Sequence, residues 1–184
     1  MKNKKKWIIS GIIAGILAVT AVVVIVIIRK PAAVEIPVPG VKLGMDSKEL
    51  KKILDKKGIE YNESERLERE AFVILPSISV RNLCIELFEH EVNMADFWLD
   101  EKKNKLVRIT FKISYSTKEE REEDSEKVKA YYTKKYGKPE IVDAGLGWYS
   151  WTQGNESIDL IATESILDIY YHMAGFDRST IEKD

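Results

Sequence analysis

Trp148-Tyr149-Ser150-Trp151-Thr152-Gln153-Gly154-Asn155-Glu156-Ser157-Ile158-Asp159-Leu160-Ile161-Ala162-Thr163-Glu164-Ser165-Ile166-Leu167-Asp168-Ile169-Tyr170-Tyr171-His172 decides the fold, because its side chains fix their own pairing. A turn within Gln153 to Glu156 sets Trp151 opposite Ile158 and Tyr149 opposite Leu160. A turn at Glu164-Ser165 sets Leu160 opposite Ile169 and Ile158 opposite Tyr171. One face of this three-stranded antiparallel sheet is then apolar throughout, and a slip of one residue would turn a whole apolar set outward. The reverse face carries Trp148, Ser150, Asp159, Ile161, Asp168, Tyr170 and His172. An indole, a phenol, two carboxylates and an imidazole together make a candidate surface for a polar ligand or a protein partner. A solvated sheet face with two stabilising aromatics accounts for the same residues more simply.

Working upstream, Val107, Ile109, Phe111 and Ile113 alternate with Arg108, Thr110, Lys112 and Ser114, the period of a half-buried strand. It pairs most simply with Val92 to Leu99 across Asp100 to Lys105. Either Phe97/Leu99 or Met94/Trp98 could face inward there. Two further strands are expected near Ala71 to Leu75 and Leu83 to Phe88. A helix is expected over Ser47 to Lys57, with Asp46 and Glu49 as a capping box, Met45 and Leu50 as a staple, and Gly58 as its stop. Leu50, Ile53 and Leu54 form its apolar stripe. A second helix should start at Thr117, with Glu120 as its capping partner, and stop at Gly137-Lys138-Pro139. Its early acids, Glu119, Glu120, Glu122, Glu123 and Asp124, suit a helix N-terminus electrostatically, and no oxygen-ligand loop with its turning glycine accompanies them.

At the start of the chain, Trp7 to Ile28 is apolar but for Ser10 and Thr20 and follows Lys2, Lys4, Lys5 and Lys6. As a helix it would measure roughly 33 Å, enough to cross a bilayer core of about 30 Å. The lysines place its start on the cytoplasmic side and the rest of the chain outside. Val19-Thr20-Ala21 resembles a cleavage site, but the apolar run continues to Ile28, which fits an uncleaved anchor better than a signal peptide. Gly11 and Gly15 have the spacing that lets two membrane helices approach and form a homodimer, although the ordinary composition of such helices explains it more readily. Pro31, Pro37 and Pro39 then suggest an extended stalk. The expected organisation is therefore 1–6 as a cytoplasmic tail, 7–28 as a membrane helix, 29–40 as a stalk and 41–184 as one extracytoplasmic domain.

All six Lys and Arg of residues 1–30 face no acid, which leaves 23 basic against 30 acidic residues beyond them. Nucleic acid is a poor partner for such a surface. Cys84 is the only cysteine, so no disulfide forms within the chain, and Leu83-Cys84-Ile85 reads as a small buried hydrophobe. Signs of catalysis are sparse. Glu89-His90-Glu91 lacks the second histidine of a zinc-protease helix, and no nucleophile elbow, phosphate loop or dinucleotide fingerprint occurs. A triad of Ser150, His172 and Asp168 fails on distance, since four strand residues separate Asp168 from His172 by about 13 Å. No catalytic residue, metal ligand or cofactor is assigned.

Gly44-Met45-Asp46-x-x-Glu49-Leu50, the helix end Tyr136-Gly137-Lys138-Pro139, Trp151 and Ile158-x-Leu160 together resemble small cell-envelope domains of the SmpA/OmlA (BamE-like) type. That resemblance implies helices on one face of an antiparallel sheet, used for protein contacts. This chain differs from the lipoprotein members in lacking an N-terminal lipidated cysteine. The resulting expectation is α+β, with an N-terminal transmembrane helix and one domain whose two helices pack on one face of an antiparallel sheet. Its expected role is protein recognition or envelope assembly with a protein partner. The alternative is an envelope hydrolase or small-ligand sensor using Trp148, Tyr170 and His172.

Overall fold

The structure is a computed structural model and describes residues 33–65, 67–69 and 72–174. Its elements are α1 (Ser47–Lys56), β1 (Tyr61–Ser64), β2 (Leu67–Arg69), β3 (Phe72–Ile74), β4 (Ser77–Leu87), β5 (His90–Asp100), β6 (Lys105–Ser114), α2 (Lys118–Tyr136), β7 (Glu140–Asp143), β8 (Trp148–Gln153), β9 (Glu156–Ala162) and β10 (Ile166–Met173). Eight strands form one antiparallel sheet in the order β1-β4-β5-β6-β10-β9-β8-β7, and β2 and β3 pair separately. Each half of the sheet is a helix followed by four strands, the first interrupted by the β2–β3 hairpin. The halves meet where β6 pairs with β10. No repeat is visible in the sequence, yet the architecture occurs twice.

The register of the last three strands is the one their side chains specify, with Trp151 opposite Ile158 and Ile158 opposite Tyr171. The row continues through Ile109 and Phe97 to Ile78, and all six side chains are 2% exposed or less. Each such burial is worth about 1.5–3 kcal/mol against leaving the group in water. Phe97 and Leu99 are buried and Met94 is exposed. The inward choice in β5 follows from Phe97 standing opposite Ile109, inside the apolar row.

Asp46 caps α1 as expected: its carboxylate accepts the Lys48 N–H at 2.9 Å, and the Glu49 carboxylate accepts the Asp46 N–H at 3.3 Å. Gly58, at φ +66, ends α1 with bonds from Gly58 N–H to Asp55 O and from Ile59 N–H to Leu54 O, both 3.0 Å. Thr117 caps α2, its hydroxyl accepting the Glu120 N–H at 3.2 Å.

The expected α+β arrangement with two helices on one face is corrected. Among the described residues the protein is mostly one large sheet, and only α2 lies along it, against β8, β9 and β10. Its 19 residues span about 28 Å, and Val128 and Tyr132 reach the core. The 10-residue α1 is instead tied to the start of β6, where Gly44 N–H donates to Leu106 O at 2.7 Å and Ser47 N–H to Asn104 O at 3.2 Å. Leu50 and Leu54 are buried, but α1 makes no comparable contact with a strand.

The described residues give the transmembrane and single-pass reading no support. Among the described residues no helix is long and apolar enough to cross a membrane. The Trp7 to Ile28 stretch, with Gly11 and Gly15, lies outside the described residues, as does the side chain of Cys84.

Residues 33–40, expected as the end of a stalk, are packed against the domain. Val34, Val38 and Val41 are buried. Val34 N–H donates to the Glu156 carboxylate at 2.7 Å, Glu35 N–H donates to the Tyr136 hydroxyl at 3.1 Å, and Lys135 pairs with the Glu35 carboxylate. Val38-Pro39-Gly40-Val41 is a tight turn closed by Val41 N–H to Val38 O at 3.0 Å, with Gly40 at φ +91 where a side chain would be strained. The strap thus begins against the second half of the sheet before the chain enters the first.

Candidate functional site

Strand alternation sends every second residue to the face opposite the core. There Asn62, Ser79, Asp96, Thr110, Tyr170, Asp159, Ser150 and Glu140 stand in one continuous cross-strand row over all eight strands. A neighbouring row carries Ser77, Trp98, Arg108, His172, Ser157 and Thr152. The sequence-selected residues therefore share one face. Asp159 stands directly opposite Tyr170, and Asp168 opposite Ile161.

The centre of this face is buried: Ser150, Asp159 and His172 are each under 5% exposed, and Arg108, Thr110 and Asp168 are buried with them. It is not a solvated surface, so its polar groups need partners. The Ser150 hydroxyl donates to Asp159 Oδ1 at 2.6 Å, while Asp159 Oδ2 lies 3.1 Å from His172 Nε2. His172 Nδ1 is 3.1 Å from the Met173 carbonyl. The Ser79 hydroxyl donates to Asp96 at 2.6 Å, and the Arg108 guanidinium lies 4.1 Å from the centre of the Tyr170 ring.

The order of the groups matters. In a hydrolytic triad the imidazole stands between hydroxyl and carboxylate, so that it can take the hydroxyl proton. Here the carboxylate of Asp159 stands between Ser150 and His172, and Ser150 donates to the carboxylate. Asp168 stands in the next cross-strand position of the face, beside Ile161 and Lys112. The His172–Asp159 pair is diagonal across β9 and β10, one pleat off the direct register. Reasoning from direct opposites misses it, and a diagonal reading would have found it.

The sequence reading gave no weight to a second cluster at the tip of the β4–β5 hairpin. His90 Nε2 bonds the Asp124 carboxylate, Lys127 Nζ reaches the same carboxylate at 2.9 Å, and the His90 and Tyr115 rings meet edge-on at 5.3 Å. Burial alone would raise the Asp124 pKa, but hydrogen bonds from Lys127 and His90 outweigh it and hold the carboxyl below its ordinary value. Burial, with Asp124 nearby, pushes the Tyr115 phenol up. These groups line a cleft of about 430 Å³ between hairpin and helix. Among the described residues no group of three or more His, Cys, Asp or Glu is placed to hold a metal.

Comparison with protein-family models, with curated proteins and with solved structures finds no match to this chain.

Proposed function

We propose that this domain is a recognition module that engages a protein partner through the polar sheet face, without carrying out chemistry there. The observation that carries this reading is the polar row over all eight strands. Seven strand spacings of about 4.8 Å make it roughly 34 Å wide, the scale of a protein contact and far broader than a small-molecule site. The Ser150–Asp159–His172 network lies buried in its floor, where its groups engage one another. Trp98, Trp148 and Tyr170 stand half-buried along the face, with Met94 exposed and Arg81 exposed beside it. Tryptophan, tyrosine and arginine are the residue types that dominate binding energy at protein interfaces. The excess of acid over base outside residues 1–30 favours a partner with a basic surface over nucleic acid.

The test is capture of partners from native extracts with the full-length chain and with a Trp148→Ala, Tyr170→Ala double variant of matched thermal stability. The expected result is at least a tenfold loss of the captured partner, since a buried aromatic anchor costs about 2 kcal/mol or more. Undiminished capture by the double variant would remove this face as the contact.

A further inference from the structure

Above the strap, where α2 meets the β4–β5 hairpin, Phe88, Tyr131 and Tyr132 pack edge to face. Their ring centres are 5.1 Å (Phe88–Tyr131), 5.6 Å (Phe88–Tyr132) and 5.2 Å (Tyr131–Tyr132) apart. They wall a cleft of about 240 Å³ with Glu35, Glu86 and Lys135 at its margin. Phe88 is delivered there by an unusual turn, because Phe88 and Glu89 are both left-handed, at φ 53 and 67, and neither is glycine. Such a conformation costs an L-residue about 1–2 kcal/mol and persists only where other contacts hold it.

The cleft already accommodates one cation. The Lys135 ammonium is 5.5 Å from the ring centres of both Tyr131 and Tyr136, is paired with the Glu35 carboxylate, and donates to the Tyr131 hydroxyl at 3.3 Å. Most hydrogen-bond acceptors of the wall are therefore in use. Lys135 engages Glu35 and the Tyr131 hydroxyl, the Glu35 N–H engages the Tyr136 hydroxyl, and the Tyr132 and Tyr171 hydroxyls bond each other. What remains is ring surface and the negative charge of Glu86.

We propose that this aromatic cleft binds a quaternary ammonium group, which takes the place of the Lys135 ammonium against the rings. A primary ammonium or guanidinium must find acceptors for its N–H groups, whereas a quaternary ammonium has none to satisfy and is held by ring faces and nearby carboxylate charge. The sheet-face reading and this one share no residue, so either can fail alone. Choline and a choline-bearing lipid headgroup offer the same chemistry.

The experiment titrates the full-length chain with choline chloride and follows backbone amide shifts of residues 86–89 and 131–135, with sodium chloride at equal ionic strength as the control. Saturable shifts confined to those segments are expected. Lys135→Ala, which removes the resident cation, should tighten choline binding several-fold, and Tyr131→Ala should abolish it. Flotation with phosphatidylcholine and phosphatidylglycerol vesicles separates the sources. Flotation with phosphatidylcholine alone that free choline reverses assigns the headgroup, and choline shifts without flotation assign the free molecule. Shifts that sodium chloride reproduces, or none in both the native chain and Lys135→Ala, would overturn the proposal.

Discussion

Among single residues, Glu89 does least to earn its conformation. It is exposed and left-handed, while its neighbour Phe88 spends the same strain on ring contacts with Tyr131 and Tyr132. Glu89→Gly should therefore stabilise the protein by up to about 1 kcal/mol, because glycine adopts this conformation freely. That is a rise of about 2–4 °C in a thermal melt at this chain length. An unchanged or lower Tm would show that Glu89 makes a compensating contact. Asp124 gives a prediction in pH. Against the opposing effect of burial, hydrogen bonds from Lys127 and His90 hold its folded-state pKa below the ordinary carboxylate value that it has in the unfolded chain. The stabilisation is complete above that value and is lost as pH falls through the folded one. Asp124→Asn should melt lower than the native chain at pH 7, and the gap should close on acidification towards pH 3. A gap that stays constant with pH would show that the Asp124 charge adds nothing to the His90–Lys127 cluster.

At the scale of elements, the capping box of α1 makes a graded prediction. Asp46→Ala should cost about 1 kcal/mol in chemical denaturation, and Asp46→Asn much less, since asparagine also accepts from the first helical turn. Equal losses would mean that the charge, rather than the cap, matters. This helix was legible because cap, staple and stop all lie within Met45 to Ile59 and act locally. The register of β8, β9 and β10 was legible for a similar reason, as Tyr149, Trp151, Ile158 and Leu160 leave one pairing that buries them together. Three strands were not visible in the sequence. β1, Tyr61-Asn62-Glu63-Ser64, is nearly all polar, because as an edge strand it pairs on one side only. β2 is as short and charged, and β7, Glu140 to Asp143, is an edge strand whose Ile141 remains exposed. The buried stripe of α2 begins with Arg121, Asp124 and Ser125, so hydrophobic periodicity could not locate the His90 cluster. The polar sheet face was legible as a grouping of residues. Its burial was not, because alternation says which face a side chain takes and not whether that face meets water.

For the whole molecule, the strap and the seam act together. Val34, Glu35 and Val38 precede the first half in sequence, yet Glu156, Tyr136 and Lys135, which hold the strap, belong to the second. Val38→Asp would bury an unpaired charge and should cost about 3 kcal/mol or more. Because the strap joins both halves, melts followed by tryptophan fluorescence and by far-ultraviolet circular dichroism should still coincide. Separate transitions would show that the halves unfold independently. A helix with a four-stranded meander, occurring twice and joined along the β6–β10 border, by the strap and by the Phe88 and His90 contacts with α2, also invites division. Chains ending at Ser116 and beginning at Thr117 would each keep their own helix and meander and would lack only each other. Co-expressed, they should reassociate like a broken plate along a clean crack, which would make this border a natural place to build a split reporter.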